Sequence, residues 1–244
     1  MADRDQRARV FGSAAGEYAR HRPTYAPAAI RWALSTPGLE VLDLGAGTGK
    51  LTEGLVEFGA TVRAVDPDES MLAELTARFP DVSAQVGTAE RIPLPDASVD
   101  AVVVGQAMHW FDLDVALPEI ARVLRPGGVL APFWNVVDDR VEWTRGYLAA
   151  TEEVSGYSTS GTLRPFHHEL FGEFELAEFA NSHRRTAEEL VATVATQSGL
   201  MILPPERRRV RLERVLAYLR GRPETASGEF DLPMVTVARR SRLV

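Results

Sequence analysis

Residues 39–134 predict a doubly wound α/β fold with a parallel sheet. Short apolar runs alternate with helix-like segments along this whole stretch. The fourth run, Asp100 to Gly105, is almost entirely valine and alanine, as expected of a strand covered on both faces. A glycine-rich turn, Gly45-Ala46-Gly47-Thr48-Gly49, joins the first apolar run to the helix that follows it.

The elements follow in order. Pro27 with Ala28–Leu34 reads as a helix with proline in its first turn, broken by Thr36-Pro37-Gly38. Leu39–Leu44 is a buried strand. Lys50 to Phe58 is a helix stopped by Gly59. Thr61–Asp66 is the second strand, and Asp68 caps a helix from Glu69 to Phe79. Val82–Val86 is the third strand and Asp100–Gly105 the fourth. Asp114 opens a helix to Leu124, with Pro118 placed in its first turn. Val129–Trp134 is the fifth strand. Beyond it the rhythm changes: a helix near Val141–Val154, an alternating strand at Phe174–Arg184, a capping box Thr186-Ala187-Glu188-Glu189 opening a helix, a further helix from Pro204-Pro205 to Gly221, and a last strand at Asp231–Arg239.

Composition narrows the possibilities. With 244 residues, 45% apolar and 25% charged, the chain is long enough to bury a core without staples. It has no cysteine, which excludes disulfides, zinc–thiolate sites and thiol nucleophiles. Lys50 is the one lysine among 27 basic residues, yet the net charge is −7, which argues against a nucleic-acid partner despite the arginine content. The N-terminus has no apolar stretch of signal type, and no apolar run approaches the ~20 residues of a membrane helix. A cytoplasmic protein without membrane or nucleic-acid partners, monomeric or homodimeric, is the expectation.

The glycine turn is the main candidate ligand site. Glycine admits a close ligand, and the helix N-terminus offers free N–H groups. A phosphate loop requires glycine five residues before the Gly-Lys pair and Ser or Thr after it; Leu44 and Leu51 stand there instead. The dinucleotide fingerprint G-x-G-x-x-G is also missed, since Lys50 takes the sixth place. The nine residues Val41-Leu42-Asp43-Leu44-Gly45-Ala46-Gly47-Thr48-Gly49 resemble the first motif of the class I S-adenosylmethionine-dependent methyltransferases.

That resemblance implies a Rossmann-like seven-stranded sheet, mostly parallel, whose last strand is antiparallel and is supplied by Asp231–Arg239. It implies S-adenosylmethionine as cofactor, cradled by Asp43, Gly45, Ala46, Gly47, Thr48 and Gly49. Asp66 falls where a carboxylate accepts the ribose hydroxyls, followed by Pro67 and Met71. Gly87-Thr88-Ala89-Glu90 with Ile92-Pro93-Leu94-Pro95 is similar to the adenine loop. The family often has Asp where Thr88 stands, so Ala89 and Glu90 are the expected contacts. Gln106 matches the position beside the methionine moiety, and Leu124-Arg125-Pro126-Gly127-Gly128 a structural motif before the fifth strand. Phe11, Ala14, Ala15, Tyr18, Arg22, Pro23 and Tyr25 resemble the N-terminal segment of the type 11 small-molecule subgroup, which places Tyr18 near the sulfonium and Arg22 near the carboxylate of the cofactor. On this basis the chain is a single domain, 1–244, with a cofactor core at 39–135, an N-terminal helical lid at 1–37, a substrate-side lid at 136–222 and a C-terminal strand segment at 223–244.

Methyl transfer is an in-line displacement at a carbon activated by its sulfonium, so alignment matters more than a catalytic triad. A base is needed only when the acceptor carries a proton. His109, after the fourth strand, is the candidate base, with an ordinary pKa near neutrality; the competing role is lining the pocket. Tyr25, Trp110 and Trp134 are the expected pocket walls. His167-His168 is not a metal site, because adjacent side chains diverge. Arg207-Arg208-Arg209, with Arg211 and Arg214, forms the solvated face of a helix packed through Val210, Val215, Leu216 and Leu219. The expected activity is methylation of a small organic molecule, at oxygen first and at a quinone-type carbon second; a protein that binds the cofactor without chemistry is the remaining alternative.

Overall fold

The computed structural model describes residues 22–151, 168–195, 200 and 203–244. Tyr18, the rest of the motif before Arg22, and His167 lie outside the described residues. The strands are β1 (Glu40–Leu44), β2 (Thr61–Asp66), β3 (Ser83–Val86), β4 (Val99–Gly105), β5 (Leu124–Val137), β6 (Glu175–Arg185) and β7 (Phe230–Arg242). They form a seven-stranded sheet in the order β3-β2-β1-β4-β5-β7-β6. β1 to β5 run parallel to one another, and β7 is antiparallel to β5 on one side and β6 on the other. The last strand is thus the one that reverses direction, inserted between β5 and the edge.

The helices are α1 (Pro27–Leu34), α2 (Lys50–Phe58), α3 (Glu69–Arg78), α4 (Leu113–Val123), α5 (Glu142–Thr151), α6 (Ala187–Ala195) and α7 (Pro205–Arg220). Their ends follow local chemistry. Gly59 closes α2 at φ 87°. Asp68 accepts from the Ser70 and Met71 amides at the start of α3, at 2.9 and 3.3 Å. Thr186 and Glu189 exchange the two bonds of a capping box, at 3.0 and 3.2 Å.

Two expectations need correction. α4 begins at Leu113, so Pro118 lies beyond its first turn, inside the helix. Its missing N–H there removes a bond that a first-turn proline would not have made. Val210 is 52% exposed, and α7 packs through Val215 and Leu219 instead. Arg209, on the exposed side, pairs with Glu206 and Glu213 along the helix.

The two faces of the sheet carry separate apolar cores. Leu42, Leu44, Val102, Val104 and Leu130 pack under α4. Val41, Val103, Ala131 and Phe133 pack under α1, α2 and α3, through Ile30, Leu55 and Leu75. Successive residues fall in opposite cores because strand side chains alternate. A third core forms where Phe230, Leu232 and Met234 of β7 meet α5, α6 and α7. The described residues between 138 and 222 therefore do more than flank the sheet: they supply β6 and a helical layer on the arm that β6 and β7 make.

A buried polar clamp ties the segment before α1 to this arm. Thr236 donates to Asn135 Oδ1 at 2.6 Å and accepts from the Ala26 amide at 3.0 Å. Asn135 and Asn181 both donate to the Thr24 carbonyl, at 3.1 and 2.9 Å. Thr236→Val keeps the shape and removes both bonds, leaving the Ala26 N–H buried without an acceptor. The expected cost is about 1–3 kcal/mol of unfolding free energy, measured by urea denaturation.

Candidate active site at the ends of the parallel strands

The sheet reverses its winding between β1 and β4, and the crevice beyond their C-terminal ends is where ligands bind in such sheets. The glycine turn leaves β1 on one side of this switch point, and Gln106–Trp110 leaves β4 on the other. Gly45, Gly47 and Gly49 all have positive φ, at 72°, 54° and 84°. At Gly45 a Cβ would stand 2.7 Å from Ala107 Cβ, so only glycine lets the two loops touch. At Gly47 a Cβ would meet nothing within 4 Å. The turn is tight below and open above.

Asp66, at the end of β2, fixes the turn. Its Oδ2 accepts from the Gly47 amide at 2.8 Å and its Oδ1 from the Asp68 amide at 2.9 Å. Burial pushes its pKa up, and the two amides pull against that shift. Asp43 is fully buried; its Oδ2 accepts from Thr52 Oγ1 at 2.6 Å. Its Oδ1 has no hydrogen-bond partner, nor has Thr48 Oγ1. Burial raises the Asp43 carboxyl to about 7, the Thr52 bond opposing the shift. Two unsatisfied oxygens, one at the end of β1 and one in the turn that follows it, are polar positions that a ligand can complete.

Gln106 sits at φ 57°, an uncommon conformation for a residue with a side chain. Its amide donates to the Phe133 carbonyl at 2.9 Å and its side chain to the Asn135 carbonyl at 2.8 Å. Across the crevice, Met71 and Ala89 are buried, and Pro67 precedes the Asp68 cap. Thr88 forms an isolated bridge with Arg91. Glu90 Oε1 is engaged by the Asp112 amide at 2.9 Å, so this carboxylate also holds the approach to α4. Arg22 is half-buried at the edge of the described chain.

The sequence-predicted pocket walls divide between faces. Tyr25 packs edge-on to Phe133, 6.0 Å between ring centroids, with its hydroxyl over Gly105. Trp134 lies in the opposite core with Met108, and its buried Nε1 has no hydrogen-bond partner. Trp110 stacks at a tilt on His109, 4.7 Å between centroids. His109 keeps an exposed face, but the protein crowding around it pushes its pKa down to about 4. The expected near-neutral pKa is therefore not met: desolvation disfavours the imidazolium, leaving a neutral ring at physiological pH.

Sequence reasoning missed two supports. Arg122 donates to the Ile92 and Leu94 carbonyls, at 3.0 and 2.9 Å, and pairs with Asp96 and Glu119. Glu119 in turn accepts from the Ile92 amide at 3.1 Å. This shapes the 87–96 loop from α4; a long-range arginine hub has no local signature. The Asn135–Thr236 clamp was equally silent. His168 accepts from the Leu170 amide at 3.3 Å and caps a turn. Among the described residues, no three His, Asp or Glu side chains group as metal ligands.

A model of the methyltransferase domain family matches residues 42–131, which span the glycine turn, the 87–96 loop and both sides of the switch point. An uncharacterised methyltransferase of Mycobacterium tuberculosis is 45% identical over 235 residues, 96% of this chain and 95% of that one.

The chain belongs to the class I S-adenosylmethionine-dependent methyltransferases, in the type 11 group.

The malonyl-[acyl-carrier protein] O-methyltransferase of Pectobacterium atrosepticum is 32% identical over 185 residues, 70% of this chain and 72% of its own. A solved type II methyltransferase structure from Anaeromyxobacter dehalogenans superposes with a TM-score of 0.65 at 31% identity, covering 91% of this chain and 96% of that one. S-adenosylmethionine is the methyl donor of this methyltransferase. The open turn at Gly47 and the unsatisfied oxygens of Asp43 and Thr48 fit such a group.

Gly45→Ala adds a methyl group at positive φ against Ala107. Calorimetry should show at least about a tenfold loss of S-adenosylhomocysteine affinity, about 1.4 kcal/mol. The Gly38→Ala control, also at positive φ but with nothing within 4 Å, should keep wild-type affinity.

Proposed function

We propose that this methyltransferase transfers the methyl group to an oxygen of a small organic acceptor, and that the oxygen reaches the site as an anion such as a carboxylate. The state of His109 carries the reading. A ring pushed down to about 4 is neutral at physiological pH and a weak proton acceptor. A hydroxyl or an enolisable carbon needs a base; a carboxylate needs only alignment and exclusion of water. The relative named as an O-methyltransferase supports the same choice.

The cofactor supplies an electrophilic methyl group on a sulfonium, and the chain's residues hold and orient it. The backbone of Gly45–Gly49 admits it closely. Asp66 accepts the ribose hydroxyls with the lone pairs that its two amide bonds leave. Met71, Pro67, Thr88, Ala89 and Glu90 would hold the adenine, and Gln106, Asp43 and Arg22 the methionine end. His109 and Trp110, with Tyr25 over Gly105, would bound the acceptor side, while Trp134 packs in the core on the other face.

Two measurements test this. Incubated with labelled S-adenosylmethionine and a metabolite extract, the protein should yield base-labile methyl esters; a base-stable C-methyl or N-methyl product would overturn the oxygen assignment. On the acceptor so identified, His109→Ala should lower kcat by less than about tenfold, whereas a general base would cost about 100-fold or more.

Asp43 gives the cofactor affinity a pH dependence. Its raised pKa means that the free protein holds a proton there below about 7. A cation bound beside it favours the ionised carboxylate, so binding releases the proton. S-adenosylmethionine affinity should rise as pH increases through 7, and Asp43→Asn should flatten that rise in calorimetric titrations.

A further inference from the structure

The sheet has two edges of unequal length. β3 closes one with 4 residues, and β6 forms the other with 11. Among the described residues, no strand pairs with the outer side of β6. A row of outward backbone donors and acceptors of this length is a template for another strand.

Which groups point outward follows from one proline. Ser182 stands opposite Pro233, and the Pro233 carbonyl accepts the Asp138 amide from the β5 side at 3.0 Å. The N–H and C=O of a strand residue point to one side, and those of its neighbours to the other. Pro233 therefore turns toward β5, while Leu232 and Met234 turn toward His183 and Asn181 of β6. The register is unbroken from Glu175 to Arg185, so the alternation holds along the strand. The backbone groups of Glu178, Ala180, Ser182 and Arg184 point away from the sheet. The Ser182 amide is met locally by Asn181 Oδ1, at 2.9 Å, a bond that a facing carbonyl can replace.

The side chains of the same four residues share one face, and all four are exposed. Along the strand that face presents an acid, two small residues and a base. A two-fold axis at Asn181 makes this pattern its own complement. Glu178 then faces Arg184 of a second copy, and Ala180 faces Ser182 of that copy. In both pairs the outward backbone groups meet, as an antiparallel ladder requires. Shifting the axis by half a residue sets outward groups against inward ones. Shifting it to Ala180 or Ser182 sets Glu178 and Arg184 against uncharged residues. A parallel, in-register pairing sets like charges together.

Within one copy these two side chains have surface partners. Glu178 pairs with Arg140 at 3.3 Å, and Arg184 with Glu229 at 2.8 Å and Asp231 at 3.8 Å. The Glu178 and Arg184 side chains keep 36% and 64% of their surface exposed, so a facing charge can still reach them. Exposed pairs of this kind stabilise little by themselves, and the backbone ladder supplies the cohesion while the charges choose the register.

We propose that the protein forms a two-fold dimer through β6, two seven-stranded sheets joining at an antiparallel seam centred on Asn181. The seam runs beside the clamp in which Asn181 donates to the Thr24 carbonyl, so assembly braces the strand that holds the segment before α1.

Sedimentation equilibrium of the full chain tests the seam. At concentrations up to about 100 μM the wild type should reach twice the 26.8 kDa chain mass. Glu178→Arg and Arg184→Glu each place like charges at both crossings of the seam. Each should raise the dissociation constant at least about tenfold, with a urea midpoint close to that of the wild type. An equimolar mixture of the two variants places opposite charges at both crossings and should recover the dimer mass. A folding defect in either variant cannot be repaired by mixing, so the recovery reports the facing of these two residues. A wild type that stays monomeric overturns the seam. So does a dimer indifferent to both reversals, or a mixture that associates no better than its components.

Discussion

The bond from the Gly47 amide to Asp66 is the constraint on which the rest of the site depends. Three positive φ angles in five residues cannot be held by the turn alone, since each glycine contributes freedom as well as reach. A carboxylate from the neighbouring strand fixes the middle of the turn. The same carboxylate takes the Asp68 amide and so sets the start of α3. One buried side chain therefore spaces two successive βα junctions, and its own desolvation is offset by the two amides it accepts.

From that fixed turn the site extends in two directions. Gly45 touches Ala107, which keeps the loop after β4 at contact distance from the loop after β1. Gln106, in its uncommon backbone conformation, hands the arrangement to β5 through the Phe133 and Asn135 carbonyls. Asn135 then bonds Thr24, and Thr236 bonds Ala26, so the segment leading into α1 is tied to the same framework. A packing contact followed by a series of hydrogen bonds thus joins the turn after β1 to the outer arm, with Asn135 and Thr236 buried within it.

Much of this was legible locally. The helices Pro27–Leu34 and Lys50–Phe58 and the strand Thr61–Asp66 have the limits their residues predict, because proline, a left-handed glycine and strand alternation act over a few positions. Pro118 and Val210 were read differently, since where a helix begins and which side it buries depend on what it packs against. His109 was legible as a residue at the mouth of the sheet. Its charge state was not, because desolvation sums over atoms that the chain brings together from distant positions.

The sequence by itself determined the α/β class, the glycine turn, the carboxylate at the end of β2 and the family those residues mark, since each is a short-range pattern whose backbone geometry admits few residue types. The tertiary structure alone decided that Asp43 and Thr48 keep unsatisfied oxygens, that Arg122 shapes the loop opposite, and that Asn135, Asn181 and Thr236 clamp the segment before α1. Burial and electrostatic reach belong to the packed chain, and no local run of residues encodes them.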